Sequence, residues 1–205
     1  MATELRKRNA RGSGALLRDE ILAAAAGLLD SAEREADLTL RGIASAAGIS
    51  APAIYAHFEH RDAILAAIVD QSWQQVVGDI RAAVDPLAPP RDRLLRGCQV
   101  YLAYAQRYPM RYTLMAQAAG PSPAATEALG VLTQALAHCQ QRPGRHPDAI
   151  RIAAALFTAL HGVAMLNRTD VPSMWLSDVS PDEVLRTLVD GAIEQQNRST
   201  VKENQ

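Results

Sequence analysis

Apolar residues recur along the chain at the spacing of an α-helix. Between residues 15 and 33 they fall at positions 17, 21, 24, 25, 28 and 29, which lie on one face of a helix with 3.6 residues per turn. No run alternates Val, Ile or Thr with polar residues, as a half-buried strand would require. The pattern predicts an all-α fold of about nine helices, of which the seven longer ones cover about 15–33, 61–84, 91–107, 110–119, 123–141, 148–167 and 181–197.

The two remaining predicted helices are short and almost adjacent. Thr39 can cap the first, and Gly48 offers the backbone freedom that a tight turn needs. Ser50 suits the cap of the second, and Pro52 falls in its first turn, where its missing N–H costs nothing. Helices of about eight or nine residues are only marginally stable in isolation. They therefore need to share a core with the first helix, and the pattern predicts a helix-turn-helix.

The second short helix has one anchoring side and one outward side. Ile54 and Phe58 lie four residues apart on the anchoring face, whereas small residues point away from it. Such a helix fits the ~12 Å major groove of DNA, and small outward residues let its backbone approach base edges closely. Many helical bundles contain similar hairpins, in which these positions are ordinary surface. The candidate DNA contacts are Thr39, Arg41, Ser50, Ala51, Pro52, Ala53, Tyr55, Ala56, His57 and Arg61.

Charge is distributed unevenly, although the net charge is only −1. The first 18 residues contain five basic side chains and one acid, Glu4, without apolar periodicity. This composition predicts a flexible basic arm over residues 1–14, which can lie along the DNA backbone or in the minor groove. A solubilising terminus is the alternative. We add the arm residues Arg6, Lys7, Arg8 and Arg11 to the candidate DNA contacts.

Little in the composition points to a cofactor or a membrane. Cys98 and Cys139 form no CxxC pair and no cluster with histidine, which fits a reducing cytoplasm and indicates neither zinc nor disulfides. Residues 1–15 contain no apolar core of a secretory signal. The most apolar stretch, between Arg151 and Arg168, is shorter than the ~20 residues that span a bilayer. We expect a soluble cytoplasmic protein without a metal or cofactor.

The hairpin region resembles a known family. The stretch TLRGIASAAGISAPAIYAHFEHRDAIL is similar to the DNA-binding signature of the tetracycline-repressor (TetR) family, over about residues 15 to 66. The shared features are Ile43-Ala44 before the Gly48 turn, the Ser50 cap, Tyr55, and His57-Phe58 before a basic residue that opens a long helix. The chain departs from the family at Ala51, Pro52, Ala53 and Ala56, where many relatives carry larger or polar residues.

The resemblance implies an organisation and a mechanism. It implies a DNA-binding domain over 15–62 and a ligand-binding and dimerisation domain over 63–205, joined by the helix from about 61 to 84 acting as a lever. It also implies a transcriptional regulator, usually a repressor, that a small apolar molecule releases from a near-palindromic operator. The stretches RYPMRYTLM and ALFTALHGVAML resemble one subgroup of the family with a His-Gly pair.

The second domain offers a candidate dimer interface. A helix that is apolar on all sides must be covered on all sides, and the helix at 148–167 has this character. We expect it to form a four-helix interface with the last helix and their copies in a second chain; the alternative is a core within one chain. The candidate interface residues are Ile152, Leu156, Leu160, Val163, Leu185, Leu188, Val189 and Ala192.

The middle helices offer a candidate ligand pocket. Aromatic and methionine side chains with a few polar tips suit an apolar pocket, although the same residues more often form plain core. A histidine within an apolar helix, such as His161, more often forms its hydrogen bonds with protein groups than with a ligand. The candidate pocket residues are Trp73, Val77, Leu94, Cys98, Tyr101, Tyr104, Met110, Met115, Phe157 and His161.

Two other functions compete with a ligand-responsive regulator. The first is a dimeric DNA-binding protein whose second domain only dimerises or binds a protein partner. The other is an all-helical enzyme that uses His57 or His161 with a nearby carboxylate. No Ser/His/Asp, metal or glycine-rich phosphate arrangement in the sequence supports the enzyme.

Overall fold

The regular structure of the chain is helical wherever it is described. A computed structural model of the protein contains nine α-helices and one short 3-10 helix, Glu35–Asp37, within its described residues. This confirms the predicted all-α fold. The described residues are 14–32, 34–118, 120, 122–139, 148–166 and 179–202, with side chains described up to residue 198.

The helices follow the predicted order, with small shifts at their ends. Those at the N-terminal end are α1 (Gly14–Asp30), α2 (Leu40–Ala46), α3 (Ala51–Ile54) and α4 (Arg61–Ala83). The rest are α5 (Pro90–Arg107), α6 (Pro109–Gln117), α7 (Pro123–His138), α8 (Ala149–Leu166) and α9 (Pro181–Lys202).

The second helix of the hairpin is shorter than its sequence pattern predicts. Instead of eight or nine residues, α3 has four, and residues 55–57 continue as turns. The N–H groups of His57 and Phe58 both donate to the carbonyl of Ile54, at 2.9 Å. A helix this short gains few internal hydrogen bonds, so the packing of its anchors decides where the chain turns.

The chain divides into two compact units. The first comprises residues 1–69 and 110–118, and the second comprises 70–109 and 119–205. The division differs from the predicted boundary at 62 because the start of α4 packs with the hairpin and because α6 joins the first unit.

The first unit packs α1, α2, α3 and the start of α4 around an aliphatic core. Ile21, Leu29, Ile43, Ile54 and Ile64 are all fully buried in it. Because these residues come from four different helices, the core supplies the stability that the short hairpin helices lack alone.

The α6 helix is fixed to this first unit by an ion pair as well as by burial. Tyr112 is buried, and Arg111 donates two hydrogen bonds to the carboxylate of Asp30 on α1, at 2.7 and 2.5 Å. Such a two-point guanidinium–carboxylate contact fixes orientation as well as distance.

The second unit packs the rest of α4 with α5, α7, α8 and α9. Trp73, Tyr101 and Phe157 form an aromatic cluster with ring centroids 5.5 to 6.3 Å apart. At the surface, Arg91 on α5 holds Asp190 on α9 through two hydrogen bonds of 2.6 and 2.8 Å. The hydrogen bonds from Arg91 lower the pKa of Asp190.

The α8 helix is apolar enough, by length and composition alone, to cross a membrane. Its mean hydropathy over 18 residues is 1.7. However, Ile152, Leu156, Leu160 and Val163 are buried on one side of it within the second unit. The core helix of a globular domain has the same composition, so this property does not by itself indicate a membrane.

Candidate functional site

The turn between α2 and α3 is built as its sequence suggests. Gly48 has φ of 66°, the left-handed conformation that a residue without Cβ adopts easily, and the N–H of Ile49 donates to the carbonyl of Ala44. The hydroxyl of Thr39 accepts from the N–H of Gly42 at 3.1 Å and so caps α2. Ser50 occupies the cap position of α3, but its side chain makes no capping bond.

Two buried side chains fix which side of α3 faces outward. Ile54 is fully buried and Phe58 is 4% exposed, and the guanidinium of Arg18 lies 4.9 Å from the centre of the Phe58 ring. Since these anchors come from one side of the segment, the other side projects from the unit.

The outward side contains most of the predicted DNA contacts. Tyr55 is 58% exposed, and Thr39, Arg41, Ser50, Pro52 and Ala56 are also exposed. Ala51, Ala53 and His57 are half-buried. The segment therefore presents small residues. The aromatic ring of Tyr55, the imidazole of His57 and the guanidinium of Arg41 lie near them in the chain.

The start of α1 lies beside this surface. A Cβ placed on Gly14 would be 3.9 Å from Cε1 of His57. The predicted arm contacts Arg6, Lys7, Arg8 and Arg11 lie outside the described residues.

Arg61 has a different role from the predicted phosphate contact. Its guanidinium donates to the carbonyls of Leu38, at 2.7 Å, and Glu35, and it pairs with the Glu35 carboxylate at 3.0 Å. The side chain is only 28% exposed. This is a correction: through these contacts Arg61 ties the loop before α2 to the start of α4.

The second unit contains a cavity of about 290 Å³. Trp73, Leu94, Cys98, Tyr101 and Phe157 line it, as the sequence predicts. Val77, Tyr104 and His161 are not among its lining residues, and Met110 and Met115 belong to the first unit. These five predicted pocket residues are therefore corrected.

The α7 helix forms a wall of the cavity that the sequence analysis missed. Its contribution has the spacing of one helix face, which is the signal that could have found it. The residues are Ala128, Val131, Leu132, Gln134, Ala135 and His138.

The cysteines near the cavity are not suited to chemistry at neutral pH. Burial, with a smaller effect of Cys139, raises the pKa of Cys98 to about 12, and burial also raises the pKa of Cys139. Burial therefore favours the neutral thiol, which is a weaker nucleophile than the thiolate. Within the described ranges, no three His, Cys, Asp or Glu side chains form a group that could hold a metal.

The predicted dimer residues are mostly core of a single chain. Ile152, Leu156, Leu160, Val163, Leu185 and Val189 are buried in their own unit, and Leu160 also lines the cavity. This corrects the placement of these six residues in a dimer interface, because each is already buried within its own chain. Leu188 and Ala192 remain half-exposed.

A different strip of α8 is left uncovered in the single chain. Ile150 is 60% exposed, and Ala154, Ala155, Thr158 and Gly162 are exposed along the same helix. Sequence reasoning missed this strip because it favoured the largest apolar residues, which the chain buries itself.

The first unit contains a capped helical hairpin with an outward face of small residues, and the second unit contains an apolar cavity. Together these features define a helix-turn-helix transcriptional regulator. Residues 21–68 match the family model described as "Bacterial regulatory proteins, tetR family". Residues 94–192 match the model described as "Tetracyclin repressor-like, C-terminal domain". The chain belongs to the TetR family of DNA-binding transcriptional regulators.

Individual relatives agree with this assignment. The chain is 29% identical over 194 residues to the HTH-type transcriptional regulator EthR of Mycolicibacterium smegmatis, covering 89% of this chain and 87% of EthR. Its fold is similar to that of the regulator SCO7222 from Streptomyces coelicolor, with a TM-score of 0.69, 20% identity, and 88% and 99% of the two chains covered. It is also similar to BioQ bound to its double-stranded DNA operator, with a TM-score of 0.65, 22% identity, and 86% and 98% covered.

Proposed function

We propose that this regulator is a cytoplasmic homodimer that represses transcription from a near-palindromic operator and that a small, largely apolar molecule releases it. The observation that carries the DNA-binding part is the outward face of α3, which Ile54 and Phe58 hold in place. The apolar cavity favours a ligand response. It argues against the alternative in which the second domain only dimerises. An effector acts only through a difference in its affinity for two states of the protein. An allosteric coupling free energy of ordinary size would weaken operator binding ~5- to 150-fold.

Base recognition by this hairpin rests on few polar side chains. Ala51, Pro52, Ala53 and Ala56 donate no side-chain hydrogen bond, although they allow close approach and contact with thymine methyl groups. Direct readout therefore falls mainly to His57. The remaining specificity is expected to come from the shape and deformability of the operator.

Replacing Tyr55 with Ala is expected to weaken binding to all DNA sequences, whereas replacing His57 with Ala should change the preference among them. The operator is first obtained by selecting bound DNA from a random pool, and each variant is then tested in competition assays. For Tyr55→Ala we expect a loss of about 5- to 30-fold, which corresponds to about one to two kcal/mol of contact with the backbone.

Tyr55→Phe is the matched control for the tyrosine variant, since it removes only the hydroxyl. Because Tyr55 is largely exposed, neither change should lower the midpoint of thermal unfolding by more than a few degrees. A Tyr55→Ala protein that is folded and binds every sequence like the wild type would contradict the placement of α3 in the groove.

The dimer part of the proposal is supported by the uncovered strip of α8. Its alanine, threonine and glycine residues are small, so a second helix can approach closely, and Ile150 adds apolar area. Half-exposed Leu188 and Ala192 extend an apolar surface along α9. In a two-fold dimer, the two hairpins would read half-sites about 34–36 Å apart.

Replacing Ala154 with Arg is expected to convert the dimer into a monomer, because it places a charge in a close helix contact. Sedimentation at micromolar concentration should give twice the chain mass of 22.1 kDa for the wild type and a single chain mass for the variant. The control is Ala103→Arg, the same change at an exposed site on α5. A wild type that sediments as one chain would refute the dimer.

A further inference from the structure

The cavity in the second unit runs from a buried aromatic end to an exposed polar rim. Trp73 and Tyr101, which stack at the buried end, are 6% and 5% exposed. Pro86, Gln134 and His138, which also line the cavity, are exposed. A bound molecule would therefore place an apolar body against the aromatic cluster and leave one end near polar groups.

Arg93 is a half-buried cation among the residues that line this cavity. One of its guanidinium nitrogens donates to the carbonyl of Pro86, another lining residue, at 3.3 Å. This contact places the charged group at the rim. Among the residues that the structure describes, no carboxylate lies within ion-pair distance of Arg93.

The neighbouring arginines differ from Arg93 in this respect. Arg81, which also lines the cavity, pairs with Glu127 at 2.7 Å. Arg91 pairs with Asp190 at 2.6 Å and lies 3.6 Å from Asp92. The carboxylates of Glu127, Asp190 and Asp92 thus lie beside other arginines, and none of them is within ion-pair distance of Arg93.

From this arrangement we infer that the effector is a compact amphipathic carboxylate, whose apolar body fills the cavity and whose carboxylate binds the Arg93 guanidinium. A planar guanidinium matches a carboxylate in a two-point contact. One guanidinium that is not paired with a protein acid fits a single negative charge better than a phosphate dianion. The volume is at the small end for ligand sites, which favours a short chain or a single ring.

This inference rests on the proposed ligand-responsive function, and a paired set of probes tests it. The affinities of 4-phenylbutanoate and octanoate, and of the corresponding primary amides, are measured by calorimetry on the full-length protein. Each acid should bind about tenfold more tightly than its amide, because a charge-assisted hydrogen bond is stronger than a neutral one. Arg93→Gln should abolish that preference and leave amide affinity within about twofold.

Two further variants make the test specific. Arg93→Lys retains the charge and should keep part of the preference for acids. Arg96→Gln makes the same change as Arg93→Gln at an exposed site on the same helix that does not line the cavity, and it should bind every probe like the wild type. Operator affinity without any probe should be unchanged in Arg96→Gln.

The outcomes separate this inference from the proposed function. Acids and amides that bind the wild type equally, or a failure of all four probes to bind, would overturn the carboxylate assignment. If the amides alone bound and released the operator, ligand-responsive repression would stand without the carboxylate. If the acids bound through Arg93 but left operator affinity unchanged, the assignment would stand and the effector role would fail.

Discussion

Raising the salt concentration from 50 to 200 mM is expected to lower the affinity for the selected operator by ~10³ to 10⁵. A dimer that neutralises roughly six to ten phosphates releases their counterions. The free energy gained by this release shrinks as salt is added. Since Arg61 is engaged with Glu35, we expect the phosphate contacts to come from the basic arm, Arg41, Thr39 and Tyr55. The slope of log affinity against log salt, measured on one operator, gives the number of contacts.

A variant with Gln in place of Arg6, Lys7, Arg8 and Arg11 tests how much of that slope the arm supplies. The slope should become shallower by about 0.9 for each phosphate contact that is lost. Arg198→Gln, at an exposed site near the end of α9, is the control and should leave the slope unchanged. A wild-type affinity that does not respond to salt would contradict phosphate binding by the arm and the hairpin together.

The hairpin could be predicted because its signals are local. The cap at Thr39, the turn at Gly48 and the spacing of Ile54 and Phe58 each depend on neighbours within a few residues. The role of Arg61 could not be predicted in this way. Its partners Glu35 and Leu38 lie more than 20 residues earlier in the chain, and only the packed unit brings them together.

The cavity and the dimer surface could be predicted only in part, for a related reason. Apolar periodicity identifies a helix but does not fix its rotation, so the sequence singled out Val77 where Val76 lines the cavity. Likewise, the largest apolar residues of α8 are buried in the core of their own chain. What remains for a partner is the strip of small residues that includes Ala154 and Gly162, which hydrophobicity alone does not identify.

Replacing Phe58 with Ala is expected to lower the free energy of unfolding of the first unit by about 3–5 kcal/mol. The ring is almost fully buried, so its removal leaves a cavity beneath α3 and also removes the cation–π contact with Arg18. With only four helical residues, α3 cannot hold its place without this anchor. Operator binding should therefore fall by more than the loss of any one exposed contact.

Hydrogen exchange is the suitable measurement for Phe58→Ala, because a chain with two compact units can unfold in two steps. Protection should fall at the amides of His57 and Phe58 and across α1 and α2, but not in α5 or α7. Phe58→Leu, which keeps most of the buried volume, should cost about 1–1.5 kcal/mol and preserve DNA binding. If Phe58→Ala kept wild-type affinity for the operator, the buried anchor would not be what orients the DNA-contacting face.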